Sequence, residues 1–294
     1  MTNMMNTAEA RHFFAEEIRV VHNIKSQRVI DAFATVPREQ FLPPGPWQIR
    51  GSEPAAGFFS GLPSQSRQTD DANPRHVYHD VSIAIDPARD LYNGQPSFIA
   101  TWFDRLKIKE GDRVVHIGTG TGYYTALIAH IVGSSGMVHG IEIDPALARA
   151  ASTNLAGRPW ATVNEGDGSS ALPADIDVMV VHAGSTHILD TWLDAVTDAG
   201  RLLVPLTVTM QGMSPNLGKG LMLMITRDNN DWRAGFTSSV VIYSLQGLRD
   251  EAKAQALAKG MMSGTFMKVK RLRREKHEAT STCWLHGATI CISE

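Results

Sequence analysis

The sequence predicts an α/β fold, a doubly wound and mostly parallel sheet finished by an antiparallel hairpin. Three observations predict it: from Asp112 onward short apolar runs alternate with helical ones, the first apolar run ends in a glycine-rich loop that opens a helix, and the last two runs flank a turn at Asn229-Asn230-Asp231-Trp232. Alternation of that kind builds parallel strands joined by crossover helices, whereas a tight turn joins antiparallel neighbours.

The elements follow in order. Between Thr7 and Val36 the residues Phe13, Phe14, Ile18, Val21, Ile24, Val29, Ile30 and Phe33 recur at helical spacing, as two amphipathic helices broken around Asn23 to Ser26. Pro37 to Pro46 is rich in turn formers, and Gly51 to Pro74 has no period, which predicts a flap; the stretch Trp47 to Arg75 is the candidate lid. Strands are expected over 113–118, 137–143, 161–166, 177–184 and 201–206, with helices over 123–133, from Asp144 as N-cap and Pro145 at the first helical position, and over 188–198. Strands over 220–227 and 236–245 form the hairpin, and a helix from Arg249 to Met262 precedes a basic stretch and the tail. The expected division is an N-terminal helical and flap region (1–76), a core (77–248) and a C-terminal extension (249–294).

Of 294 residues 43% are hydrophobic and 20% charged, which excludes wholesale disorder and a collagen-like chain. A formal charge of −2 supplies no general attraction to nucleic acid or an anionic membrane. The only cysteines, Cys283 and Cys291, do not make a disulfide framework, the first residues lack the apolar segment of a signal peptide, and no run is long enough to span a bilayer. A soluble, cytoplasmic chain is expected.

The chemistry lies at the strand ends. Gly118-Thr119-Gly120-Thr121-Gly122 follows the first core strand and opens a helix, where backbone N–H groups can meet a ligand closely. Glu142, followed by Ile143, ends the next strand, the position from which a carboxylate accepts ribose hydroxyls. Gly166-Asp167-Gly168 follows the third strand and places a short carboxylate near an exocyclic amine. Dinucleotide folds favour a glycine where this chain has Tyr123, so the three elements describe an adenosine site with no need of a diphosphate. His76 with His79, and His182 with His187, lack further ligands in metal spacing; Cys283 and Cys291 read as alternating strand residues, and no metal is expected. The basic run Lys268, Lys270, Arg271, Arg273, Arg274 and Lys276 reads as a solvated face, with binding of a phosphate backbone or an acidic peptide as the alternative.

Residues 36 to 248 resemble the class I S-adenosylmethionine-dependent methyltransferases, which are Rossmann-like, and more narrowly the protein-L-isoaspartate O-methyltransferase family. The resemblance rests on VPREQFLP (36–43), YHDVSIAI (78–85), DRVVHIGTGTGYYTALIA (112–129), GIEIDPAL (140–147), GDG (166–168) and AGRLLVPL (199–206). It implies S-adenosylmethionine as methyl donor, S-adenosylhomocysteine as product, and a methyl acceptor that is a peptide, a protein or a small molecule. Gly118, Gly120 and Gly122 would line the methionyl end, Glu142 the ribose and Asp167 the adenine, with His116, Thr119, Tyr123, Ile143, Gly166 and Gly168 beside them.

The departures from the family are specific. Its repair enzymes carry Gly-Gln-Thr-Ile-Ser-Gln-Pro, with the serine tied to isoaspartyl recognition, where this chain has Asp90-Leu91-Tyr92-Asn93-Gly94-Gln95-Pro96. Gly94 thus replaces the serine, and His116 stands where a carboxylate is usual. Asn93 and Gln95 are candidates to donate hydrogen bonds to a substrate carboxylate, Ser97 to supply the missing hydroxyl, and His182 to act as a base. A carboxylate acceptor needs no base, a hydroxyl or amine does. Methylation of a peptide, protein or small-acid carboxylate is the expectation, a small-metabolite or biosynthetic-peptide O- or N-methyltransferase the first alternative, and a non-catalytic S-adenosylmethionine- or nucleic-acid-binding protein the second. Oligomeric state is left open.

Overall fold

The computed structural model describes residues 6–51, 66–169, 172–209 and 216–294. They form two compact units that interleave along the chain. Met1–Gly111, Thr119–Val138 and Pro145–Val163 make the first, and Asp112–Gly118, His139–Asp144 and Asn164–Glu294 the second. These units do not coincide with the three sequential regions read from the sequence.

In the first unit, α1 (Thr7–His22) opens with a capping box between Asn6 and Glu9 and stops at Asn23, whose φ of 53° ends the helix. Ser26 caps α2 (Gln27–Thr35), so the two predicted helices and their break are present. They bury Phe14 and Ile18 together with Val29, Ile30 and Phe33. A small sheet follows, in the order β2-β1-β3-β4, from β1 (Gln48–Arg50), β2 (Arg67–Gln68), β3 (Ser82–Asp86) and β4 (Leu91–Tyr92). Most of the expected flap lies outside the described residues, but its end is structured, because β2 pairs antiparallel with β1. Helix α3 (Pro96–Leu106) starts at a proline whose missing N–H costs nothing in the first turn. Helices α4 (Tyr123–Val132) and α5 (Pro145–Asn154) complete the unit.

The large sheet has ten strands in the order β13-β14-β12-β11-β10-β9-β8-β5-β6-β7. These are β5 (Arg113–Ile117), β6 (Met137–Glu142), β7 (Ala161–Glu165), β8 (Ile176–Val181), β9 (Val196–Val208), β10 (Leu217–Asp228), β11 (Asp231–Tyr243), β12 (Arg271–Arg273), β13 (Cys283–His286) and β14 (Cys291–Ser293). β5 pairs parallel with β8, and β8 with β9. The hairpin of β10 and β11 continues the sheet antiparallel from β9, as expected. The tail adds three more antiparallel strands beyond it. Val115, Ile117, Met179, Val181, Leu202, Val204 and Leu223 form the second unit's core with Trp192 and Leu193.

One helix is shorter than expected. Instead of 188–198, α6 covers only Asp190–Asp194, because β9 already begins at Val196. Val196 pairs with Ile176, and the register then shifts before Arg201 pairs with Val178, across Ala199 at φ 60°. The β-branched pair Val196-Thr197 favours the strand, and a bulge accommodates the surplus residues. Helix α7 (Glu251–Met262) lies where the sequence places it. Among the described residues no helix is long and apolar enough to cross a membrane.

Candidate functional site

In the second unit Gly118 directly follows β5, its N–H donating to Ile141 O at 2.8 Å. A Cβ at Gly118 would lie 3.2 Å from His182 O, so the two strand ends approach too closely for a side chain. Glu142 is buried at the end of β6, and its Oε1 accepts from the N–H of Asp144 at 3.1 Å; Ile143 between them is half-buried. Gly166 N–H donates to Glu142 O at 2.9 Å, which ties the Gly166-Asp167-Gly168 turn to the Glu142 backbone. Asp167 Oδ1 accepts from Ser169 N at 2.9 Å and from Ser169 Oγ at 2.7 Å, and Gly168 O accepts from the Trp192 indole at 2.9 Å. Three predicted elements of the adenosine site are therefore held in this unit by short backbone contacts.

His116 and His182 also belong to the second unit, with ring centroids 5.7 Å apart. His116 is completely buried in β5, and burial, assisted by the neighbouring His182, holds its pKa well below the usual value. Burial pushes His182 down to about 4. Both rings are neutral at pH 7, and a base this weak has little drive to take a proton from a hydroxyl or an ammonium group.

The rest of the glycine loop lies in the first unit. Gly120 and Gly122 adopt φ of +56° and +92°, which lets the chain turn directly into α4. Thr119 is 5% exposed, and among the described residues its Oγ1 has no hydrogen-bond partner. Tyr123 points into an aromatic cluster, its ring 5.6 Å from Phe41 and 6.4 Å from Phe33. A side chain packed in this way fills the place of the third dinucleotide glycine with core.

The predicted substrate segment is in the first unit as well. Asn93 Oδ1 accepts from Ile83 N at 3.0 Å and from the Arg38 guanidinium at 3.3 Å. Gln95 Nε2 donates to Asp80 Oδ2 at 2.6 Å, and Ser97 N–H to Asp80 Oδ1 at 2.9 Å. Asp80 thereby caps α3 and takes one of the two N–H donors of Gln95, a candidate for contact with substrate. Among the described residues Asn93 Nδ2 and Ser97 Oγ are buried without a partner. Gly94 has φ +81°, and its carbonyl accepts from the Tyr124 hydroxyl at 3.1 Å.

Two organising residues escaped the sequence reading although both lie in family-like stretches. Arg38 is completely buried and donates to Val77 O, His79 O and Val81 O at 2.9, 3.2 and 2.8 Å. Asp80 is the other. Neither carries a local signal, since Arg38 is followed by Glu39 and Gln40 and Asp80 is preceded by His79; only contacts distant in sequence single them out. Three of the six residues of the basic run meet carboxylates within the chain: Arg271 faces Asp231, Arg273 pairs with Glu275, and Arg274 is 2.8 Å from Asp194. His277, Cys283, His286 and Cys291, to which no metal role was given, come together in the tail.

A parallel α/β core with a glycine loop after one strand, a buried carboxylate ending another and a Gly-Asp-Gly turn after a third is the architecture of a nucleoside-binding α/β enzyme. The sequence model for Protein-L-isoaspartate(D-aspartate) O-methyltransferase (PCMT) matches residues 65–223, more than half of the chain, and the chain belongs to that family. Among curated relatives, protein-L-isoaspartate O-methyltransferase 1 of Archaeoglobus fulgidus is 28% identical over 251 residues, 83% of this chain and 98% of that protein. The Roseiflexus castenholzii protein-L-isoaspartate O-methyltransferase is 30% identical over 194 residues, 64% of this chain and 74% of its own. A solved protein-L-isoaspartate O-methyltransferase aligns over 96% of this chain and 87% of its own with a TM-score of 0.64 at 18% identity. A Plasmodium falciparum family structure, solved with S-adenosyl-L-homocysteine, gives 0.59 at 15% identity, covering 80% of this chain and 98% of its own. Both structures share the fold.

Proposed function

We propose that the chain transfers a methyl group from S-adenosylmethionine to a carboxylate of a peptide or protein, with residues 77–248 as the catalytic core. The observation that carries this reading is the trio of strand ends in the second unit, Gly118, Glu142 and Asp167, bound together through Ile141 and Gly166. The donor set suits the cofactor: Glu142 is placed for a diol, Asp167 for an amine, and Gly118 for close backbone approach. Ile143, Gly166 and Gly168 support them. Family membership extends the same role to Thr119, Gly120, Gly122 and Tyr123, and the orphaned hydroxyl of Thr119 is in keeping with it.

When bound, S-adenosylmethionine supplies an electrophilic methyl on a cationic sulfonium. What remains for the chain is to orient the acceptor and exclude water. Asn93 Nδ2 and Ser97 Oγ are buried donors, the groups a carboxylate would accept from. The low basicity of His182 supports a carboxylate over a hydroxyl or amine acceptor, since an ionised carboxylate attacks without losing a proton.

Calorimetry with S-adenosylmethionine and S-adenosylhomocysteine, followed by transfer of labelled methyl to isoaspartyl, aspartyl and intact-protein acceptors, tests the proposal. Wild type is expected to bind both cofactor forms, and Glu142→Ala to lose on the order of 100-fold in affinity as two charge-assisted hydrogen bonds disappear. Absence of binding by wild type at millimolar cofactor would refute the reading.

A further inference from the structure

The C-terminal tail brings two cysteines and two histidines to one place. Cys283 and His286 stand at the two ends of β13, Cys291 begins β14 directly opposite His286, and His277 comes from the loop before β13. One potential ligand atom of each lies within 4.8 Å of all the others. Cys283 Sγ and His277 Nε2 are 3.5 Å apart, which is the sulfur-to-nitrogen edge of a tetrahedron with metal bonds of about 2.3 and 2.0 Å.

The surroundings are those of a ligand set. His277 Nδ1 is 2.8 Å from Glu275 O, an interaction that places the proton on Nδ1 and leaves the Nε2 lone pair facing Cys283. Thr280 directs its N–H and its hydroxyl at Cys283 Sγ, at 3.3 and 3.4 Å, as donors to a thiolate.

We infer that His277, Cys283, His286 and Cys291 form a structural zinc site that clips the last two strands to each other and to the loop before them. Two sulfurs and two imidazoles, with no carboxylate among them, select zinc, and four protein ligands leave no open position for a substrate. On binding, both thiols give up their protons to solvent. The clip has a mechanical purpose, because β12, β13 and β14 contain three, four and three residues and have few ladder hydrogen bonds of their own. Trp284, between the ligands of β13, packs on Phe236 at 4.8 Å, so the site also seats an aromatic anchor of the second unit.

The test uses the full-length chain and zinc or cobalt alone, so it is independent of any methyl transfer. Protein purified from zinc-supplemented culture and dialysed against metal-free buffer is expected to retain about one zinc per chain by elemental analysis. Exchange with cobalt should give tetrahedral ligand-field bands together with a thiolate charge-transfer band. His277→Gln changes a loop residue and leaves the strands intact; with Cys283→Ser it should reduce zinc affinity by more than the roughly 10- to 100-fold typical of an outer-sphere change. Circular dichroism checks that both variants remain folded. Wild type free of zinc, a Cys283–Cys291 disulfide in reductant-free protein, or folded variants that hold zinc as tightly as wild type would each overturn the inference.

Discussion

Gly94 carries the sharpest single-residue consequence. Its φ of +81° lies in the left-handed region, where a residue with a Cβ is strained by about 1–2 kcal/mol, and its carbonyl is held by Tyr124. The serine of the family's repair enzymes therefore cannot be restored by substitution alone, since this backbone is shaped for glycine. Gly94→Ser is expected to leave methylation of an isoaspartyl peptide unchanged or lower, and to reduce stability by about 1 kcal/mol in urea titration. A tenfold rise in kcat/KM for that peptide would show that the loop reshapes around the serine. The same backbone separates two matters that the sequence joins: loss of the side chain at Gly94 removes one hydroxyl, while Asn93 Nδ2 and Ser97 Oγ keep buried donors on either side of it.

At the scale of elements, the proposed substrate segment is held from two directions, by Asp80 at the start of α3 and by Arg38 against the carbonyls that precede β3. Arg38→Met keeps much of the side-chain volume but strands three carbonyls. With each buried unsatisfied group costing about 1–3 kcal/mol, a loss on the order of 3 kcal/mol is expected from urea unfolding monitored by circular dichroism. A loss below about 1 kcal/mol would mean that water replaces the guanidinium. Elements with a strong period were legible in the sequence: α1, α2, α4 and the β10–β11 hairpin follow the apolar spacing and the turn residues. The early start of β9 was not, because Asp190 to Asp198 fits a helical pattern locally and only the pairing of Val196 with Ile176 decides otherwise. Nor were β1, β2 and β4, which are two or three residues long and exist through their partners. Of the proposed site, the placement of the glycine loop, Glu142 and Asp167 at strand ends was legible. The roles of Asp80 and Arg38 were not, since both depend on contacts distant in sequence, and the cluster in the tail depends on a strand register that spacing does not reveal.

For the molecule as a whole, histidines that are wholly or partly buried set the response to acid. His116, His130, His139, His182 and His187 all have pKa values below the ordinary 6.5, in each case with burial as the leading cause. A histidine of this kind binds its proton more readily in the unfolded chain than in the folded one. Between the folded and unfolded pKa values unfolding therefore takes up protons, and stability rises with pH. The contribution is complete above about pH 6.5 and declines as pH falls toward the folded values. For His182, lowered from 6.5 to about 4, it amounts to about 3 kcal/mol. Carboxylates with depressed pKa, such as Asp71, Asp86 and Asp250, lose their contribution only below the carboxylate value of 3.8, so the window from 6.5 to about 4.5 belongs to the histidines. The melting temperature is expected to be level above pH 7 and to fall steadily from pH 6.5 to 4.5, with calorimetry in buffers of different ionisation enthalpy registering net proton uptake on unfolding at pH 5.5. His182→Gln should flatten part of that slope, because an amide has no proton to gain when the chain opens. A melting temperature that does not change from pH 7 to 4.5, or an unfolding transition at pH 5.5 that takes up no protons, would mean that these imidazoles reach water in the folded protein and that the enclosure of the His116–His182 pair is looser than its burial indicates.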